Sequence, residues 1–520
     1  MAALSGEEGE MSSSCDVLVE QFNSCSASKE TLADSLGKLR AVSTGDIKRF
    51  NIISTQINVE LLLSIITEYS STSDSGIVGD ACNLLTKIFG NMSASNVLQK
   101  YGTYVISSLS LKCVEFQNLC LQQIARLAEE DEHFSEFLSN PDLIIVTIKY
   151  LGEDDLGVAG ISRKILNLLF CHNENLEWLF SNHFIELFKE ISQRNSIVQF
   201  RIFEVFVDFV LKYPEHVETC RSAGIFDGLI SILMNSGDIL SQLNALEQLS
   251  RVAMSGLQGL RYVEEKSIMT WVEKTIISNG PMVGLLLPGA VKFFGVVAQA
   301  DPLRVIPKYE NTTNSLFENI VSEDPSIRCL CAETIAFIGA KPEGLKILNS
   351  NPDRLKRCVQ VMAKMIMNPG EDDYIRNRTA GCLSSMFNHS NQDVEVSMVC
   401  EKLFRQIDQH PISYLFKLAQ QPFSELRYCS LKLLAAVSRY SWAEQDFVLC
   451  AGFLEYLLNR KTETEKQGHE LKYEIIKNLS LSQTSKDNLG IDYYEQLVKY
   501  TKQGQFYSES HVEVSYEQGD

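Results

Sequence analysis

The sequence predicts an all-α protein built as a right-handed solenoid of about ten helical repeats, and three observations carry that prediction. Apolar residues recur at i, i+3, i+4 and i+7 in "FQNLCLQQIARLA", "DPSIRCLCAETIAFIG", "YIRNRTAGCLSSMF" and "ELRYCSLKLLAAVS", which is the helix period. Strand-like alternation bounded by hairpin dipeptides is nearly absent, and the Asn-Gly of "IISNGPMVG" has no strand on either side. The third observation is self-similarity at a long, regular interval.

That interval appears when Asp324–Ile335 is stacked over Tyr374–Leu383, Glu425–Leu434 and Glu470–Leu479. Each segment gives an aliphatic residue, a base, then apolar or small positions four and seven residues after the base. The bases are Arg328, Arg376, Arg427 and Lys472, at intervals of 48, 51 and 45. Looser matches continue the series upstream at about Val78, Gln117, Ile161, Gln199, Gln242 and Leu286. Ten units at a mean near 44 residues are the mark of armadillo and HEAT-type repeats, two or three helices each.

Taken in chain order, residues 1–14 are acidic and Ser-rich and are expected to be a disordered leader. No apolar h-region follows a basic one there, so no signal peptide is expected. From 15 to 503 a continuous array of repeats is expected, with no second compact domain. Short apolar helices should open at "NPDLIIVTIKYL", "SNHFIELFKEI", "SAGIFDGLISIL" and "CAGFLEYLL", each started by Asn, Pro or a small residue. The segment "IVQFRIFEVFVDFVLKY", with Phe200, Phe203, Phe206 and Phe209, is apolar nearly all round and must be wrapped by its neighbours. The apolar run "MVGLLLPGAVKFFGVVAQA" is too interrupted by Gly284, Pro288, Gly289, Lys292 and Gly295 to span a membrane. "NRKTETEKQGHE" (459–470) reads as a polar connection, and 504–520 as a polar C-terminal tail.

Composition narrows the function classes. At 520 residues, 45% hydrophobic and 22% charged, the chain can bury a large core. A formal charge of -19 disfavours a broad phosphate-binding surface, so no nucleic-acid partner is expected and no membrane. Fourteen cysteines without a Cys-x-x-Cys read as buried apolar thiols. Cys329 and Cys331 lie about 200° apart around a helix axis and cannot face one metal together. There is no His-Glu-x-x-His, no P-loop and no Gly-x-Gly-x-x-Gly, and the pair Cys171–His172 lacks a third member. Acid runs such as "AEEDEHF" and "GEDDY" suit helix ends. No enzyme activity, metal or cofactor is therefore expected.

What remains is a repeated surface suited to protein binding. The recurring bases have two readings: a structural ladder in which each meets a nearby acid, or a row that grips an acidic partner. Under the second reading the candidate partner-binding residues are Arg376, Arg378, Arg427 and Lys472.

The last repeats carry a sharper signal. "FLEYLLNRKTETEKQGHELKYEIIKNL" followed by "YYEQLVKYTKQGQFY" resembles the C-terminal end of the 26S proteasome non-ATPase regulatory subunit 5 family. The matching residues are Leu457, Leu458 and Arg460, then Lys472, Tyr473 and Glu474, then Gly504, Phe506 and Tyr507. The resemblance implies a chaperone for assembly of the 26S proteasome regulatory particle base. Such a chaperone binds the C-terminal domain of a proteasomal ATPase subunit, in a precursor that includes a second ATPase and a large non-ATPase scaffold subunit, and leaves before the mature proteasome forms. A cytoplasmic location is expected, with the nucleus also open. The alternative is a general armadillo-type interaction scaffold unrelated to the proteasome. A transport receptor would show ordered Trp rows, and Trp178, Trp271 and Trp442 share no register.

Overall fold

The computed structural model describes residues 16–507 except 25–28, 46, 71–74, 112, 131–133, 172–179, 279–280, 369 and 391. The expected leader at 1–14, Trp178, His172 and most of the 504–520 tail lie outside the described residues. The described residues form helices and connecting turns, without strands. The chain is an all-α armadillo/HEAT-like solenoid, and it divides into two compact units, Met1–Asp227 and Gly228–Asp520.

Each unit is organised by a row of helices that stack on one another. In the first they are α1 (Lys29–Gly45), α2 (Ser75–Gly90), α3 (Val114–Glu129), α4 (Leu156–Cys171) and α5 (Ser196–Lys212). In the second they are α6 (Ile239–Met254), α7 (Pro281–Ala300), α8 (Pro325–Gly339), α9 (Asp373–Phe387), α10 (Ser424–Val437) and α11 (Lys466–Leu481). Within each unit every row helix packs on the next. Other helices cover the row from one side, for example Pro141–Tyr150 on α4, Pro352–Met367 on α9 and Ile491–Gln503 on α11. All ten register positions from Val78 to Lys472 fall on row helices α2 to α11. Helix α1 adds a further row member that the sequence pattern did not reveal.

Local chemistry sets the boundaries. Side chains of Asn140, Asn195, Asp238, Asp324, Asn351 and Asp372 cap helix N-termini by accepting backbone N–H bonds. Proline occupies the first helical turn at Pro141, Pro325, Pro342, Pro352 and Pro411, where its missing N–H is not needed. The Ala-Gly pairs of the sequence pattern have a conformational reason: Gly224 and Gly452 sit at φ +69° and +81°, which lets the chain turn so that Phe226 and Phe453 are fully buried.

The aromatic helix α5 is wrapped as its pattern requires. Phe203, Phe206 and Phe209 are buried, Phe200 half-buried. The rings of Phe170 and Phe209 lie 4.6 Å apart, those of Phe188 and Phe206 5.0 Å apart. The run "MVGLLLPGAVKFFGVVAQA" lies within one helix, α7, despite Pro288, and its Val291, Phe293, Phe294 and Val297 enter the core. Among the described residues no single helix is long and apolar enough to cross a membrane.

Polar ties between neighbouring repeats reproduce the period seen in the sequence. Arg163–Asp208 (2.6 Å), Arg304–Glu264 (2.9 Å), Arg328–Glu371 (3.3 Å), Lys346–Asp393 (2.9 Å) and Arg405–Asp446 (3.1 Å) each join groups about one repeat apart. Carbonyls at the C-terminal ends of row helices are capped from the following repeat. Arg126 Nη1 donates to Phe89 O (2.7 Å), His389 Nε2 lies 3.1 Å from Gly339 O, Tyr440 OH donates to Phe387 O (2.8 Å), and Asn478 Nδ2 donates to Ala435 O (3.3 Å). These carbonyls lie in the last turn, where the helix itself supplies no i+4 donor, so a donor from the next repeat joins repeats and adds a bond at a helix end. Burial pushes the His389 pKa below its usual value, which keeps the ring neutral in this role.

Candidate functional site: the basic register and the C-terminal cleft

The four recurring bases do one job. Each sits near the start of its row helix and donates to carbonyls where the preceding helix ends. Arg328 Nη1 reaches Ser322 O at 3.3 Å. Arg376 Nη2 reaches Asn368 O and Glu371 O at 3.2 and 3.0 Å. Arg427 Nη1 reaches Pro422 O at 3.2 Å, and Lys472 Nζ binds Asn459 O and, at 2.6 Å, Thr462 Oγ1. Carbonyls just past the helix end and the negative end of the helix dipole favour a cation there. The looser register matches repeat the arrangement with an amide: Gln117 Nε2 donates to Leu111 O (3.0 Å) and Gln242 Nε2 to Leu233 O (2.9 Å).

This geometry separates the candidate partner-binding residues. Arg376 and Lys472 are 6% and 1% exposed, and their charged heads bind carbonyls inside the chain. Both therefore have structural partners within the chain, and Arg376 Nη1 also lies 3.0 Å from Asp373 Oδ1. Arg427 is half-buried, with Nε 3.5 Å from Glu463 Oε2. Arg378 is the most exposed of the four. It donates to Tyr374 OH (2.6 Å) and Glu333 Oε2 (2.7 Å), and its guanidinium lies 5.5 Å from the Tyr374 ring centroid. Arg376→Met is therefore expected to cost about 1–3 kcal/mol by removing a buried donor from carbonyls inside the chain, whereas Arg378→Met, with a side chain 40% exposed, should cost less. Urea midpoints of the two variants check this, and equal shifts would count against the distinction.

The stretch 459–470 is less of a loop than its polarity suggests. Helix α11 begins at Lys466, and Glu463 is buried with its side chain only 1% exposed. Its Oε1 accepts from Tyr456 OH (2.6 Å), and Gly468 leaves room for its carboxylate, because a Cβ there would stand 2.3 Å from Oε2. The Lys472 ammonium lies 4.9 Å from the Tyr456 ring centroid. Burial pushes the Lys472 pKa down to about 7, with Glu463 opposing and Arg460 adding to the shift. Burial, with Glu465 accepting from its hydroxyl, pushes Tyr428 up to about 12.

The residues that carry the family resemblance converge beyond this network. Leu457 is fully buried, while Leu458 and Tyr473 are half-buried. Tyr473 OH donates to Thr501 O (3.2 Å). Arg460 organises the region: its guanidinium lies 3.5 Å from the Tyr500 ring centroid and 5.2 Å from that of Tyr507, and it donates to Gly504 O (2.8 Å), Tyr500 O (3.3 Å) and Gln503 Oε1 (3.1 Å). Beside it opens a cleft of about 740 Å³, walled by the 458–461 turn, His469 and the C-terminal residues 496–507. The sequence signal for Arg460 was its place in the motif. For Glu463 and Gly468 no sequence signal distinguishes them from the polar residues around them.

Cys329 and Cys331 are buried in the core, and burial pushes both thiols up to about 12, so they are protonated near neutrality. Among the described residues no group of three or more His, Cys, Asp or Glu side chains could hold a metal ion.

Comparison with known proteins places this geometry. The family described as "Proteasome non-ATPase 26S subunit" matches residues 12–520. A cattle protein, the 26S proteasome non-ATPase regulatory subunit 5 of Bos taurus, is 27% identical over 393 residues, covering 75% of this chain and 77% of the relative. The protein of the same name in Homo sapiens is 26% identical over 394 residues, with the same coverage of each chain. Among solved structures, that of Kap121p bound to Pho4p aligns with a TM-score of 0.52 at 14% identity, covering 94% of this chain and 49% of that one. The last likeness concerns the helical-repeat fold alone.

Proposed function

Since the chain belongs to the proteasome non-ATPase 26S subunit family, we propose that its proteasome-related role is that of a chaperone for assembly of the regulatory particle base. It binds the C-terminal domain of a proteasomal ATPase subunit within a precursor complex that also holds a large non-ATPase scaffold subunit. It leaves before the mature proteasome forms. The observation that carries this reading is the family match over residues 12–520, together with relatives named 26S proteasome non-ATPase regulatory subunit 5.

The physical requirements are modest. A chaperone of this kind covers a surface that would otherwise dock too early, and it is displaced when the competing assembly contacts become stronger than its own. Binding free energy alone is sufficient, so the proposed role needs no enzymatic step, and its proposed place is the cytoplasm, with the nucleus also open. The stacked rows support this reading because the repeated ties within each unit hold its surface in shape before the partner arrives. Arg378, the most exposed of the four bases, is the one best placed to meet a partner carboxylate.

Affinity capture of the tagged full-length chain from cell extract tests the proposal. The expected recovery is ATPase subunits and the scaffold subunit without the proteolytic core. Absence of ATPase subunits rejects it, as does recovery only with complete proteasomes. Enrichment of unrelated proteins instead points to a general scaffold.

A further inference from the structure

The C-terminal cleft differs from the rest of the second unit in its charge. Several bases elsewhere in that unit are matched by acids about one repeat away, as with Arg304, Arg328, Lys346 and Arg405. The cleft is lined by Arg460, Lys461, His469 and Lys499 and by no aspartate or glutamate, in a chain whose formal charge is -19. Lys461 and Lys499 are exposed, and neither has an ion pair among the described residues. Ile491–Gln503 is the last of the described helices, so no described repeat beyond it supplies the matching acids.

The apolar side of the cleft is equally unfinished. Phe506 and Tyr507 are 57% and 41% exposed, large rings left at a rim whose backbone is held by Arg460 through Gly504 O. Phe506 stands edge-on to His469 at 5.9 Å. Arg460 itself has its donors committed and its face against Tyr500, so it acts as a rigid floor. A cleft with a fixed floor, two free ammonium groups and two exposed rings is complementary to an extended chain bearing carboxylates and one large apolar side chain.

We infer that this cleft is a docking site for an acidic, extended segment of a partner protein that carries an aromatic or aliphatic residue among its carboxylates. The carboxylates pair with Lys461 and Lys499, and the apolar side chain lies against Phe506 and Tyr507. The inference goes beyond the assembly role and stands on the cleft alone, whichever complex supplies the segment.

The test uses the full-length chain and a short fluorescein-labelled peptide of glutamates around one tyrosine, with binding read by fluorescence anisotropy. Saturable binding is expected, weaker at high salt and reduced about tenfold or more in the double variant Lys461→Glu/Lys499→Glu. The double variant Lys461→Arg/Lys499→Arg should retain it. Circular dichroism controls for folding, which two exposed lysines should not affect. Three results overturn the inference: no saturable binding, equal binding by the charge-reversed variant, or equal binding of a lysine-rich peptide of the same length. Displacement of the probe by a synthetic peptide of residues 508–520, stronger than by other acidic peptides, assigns the cleft to the chain's own acidic C-terminal residues and likewise overturns the partner assignment.

Discussion

Gly344→Ala and Gly259→Ala are each expected to destabilise the second unit by about 3 kcal/mol or more, enough to lower its melting temperature by many degrees. Both glycines occupy the third position of a short helix, Pro342–Leu348 or Leu257–Glu265, that follows a row helix through a tight turn. A Cβ on Gly344 would stand 2.0 Å from Ile338 O, and one on Gly259 would stand 1.9 Å from Val252 O and 2.6 Å from Ser255 Oγ. The obstacle in each case is backbone near the end of α8 or α6. It cannot rotate away as a side chain could, so relief requires shifting one helix against another. Gly381→Ala in α9 is the control, because a Cβ there meets nothing within 4 Å. Helix propensity alone should make that variant neutral or more stable by up to about 1 kcal/mol. Thermal denaturation of the three variants decides the matter, and a Gly344→Ala protein melting with the wild type would refute the close approach.

The second large effect concerns the buried charges around Glu463. Glu463→Ala is expected to cost about 3–5 kcal/mol, because it leaves the Arg427 guanidinium and the Tyr456 hydroxyl without this acceptor in a site that solvent barely reaches. A distinct pH signature accompanies it. Burial holds the Lys472 pKa down at about 7 in the fold, against 10.5 for the free side chain. Between those values the unfolded chain holds a proton that the folded chain lacks, so stability rises with pH across the window, by at most about 1.4 kcal/mol per pH unit. Below pH 7 both states are protonated and this contribution is flat at its least favourable level. Above about pH 9 the buried thiols act in the opposite direction. Their folded pKa values are raised, as with Cys429 and Cys400 to about 11, so their stabilising contribution is lost as pH climbs from 9 through that range. Comparison with Lys472→Met isolates the lysine. From pH 7.5 to 8.5 the wild type should gain stability relative to that variant, by about 1 kcal/mol. Parallel urea midpoints over that interval would exclude a neutral buried Lys472.

The repeat architecture was legible because its signal is local. A 3.6-residue apolar period and a base followed at fixed spacing by small residues are properties of one short segment, and stacking must reproduce them in every unit. Hence all ten register positions lie on the row helices, and the Asp324 cap, the buried pair Cys329 and Cys331 and the left-handed glycines Gly224 and Gly452 could be anticipated from segments of a dozen residues. Helix α1 was missed because its packing onto α2 lacks the base and the small residues that marked the later units.

What each register position does was not legible. The sequence offered Arg376, Arg378, Arg427 and Lys472 as equivalent bases, and folding divided them. Two were buried against helix-end carbonyls, and Arg378 was left at the surface on Glu333. The polar stretch 459–470 likewise concealed Glu463, whose burial depends on Tyr456, Arg427 and Gly468 arriving from three separate elements. The sequence by itself determined the helical class, the repeat period and which helices form the row, since these follow from side-chain spacing along a single segment. Only the tertiary structure decided which charges are spent inside the array and which remain free at the C-terminal cleft. Those outcomes depend on groups that folding brings together from separate elements, as with Glu333 for Arg378, and a periodic sequence pattern says when a residue recurs but not which group will face it.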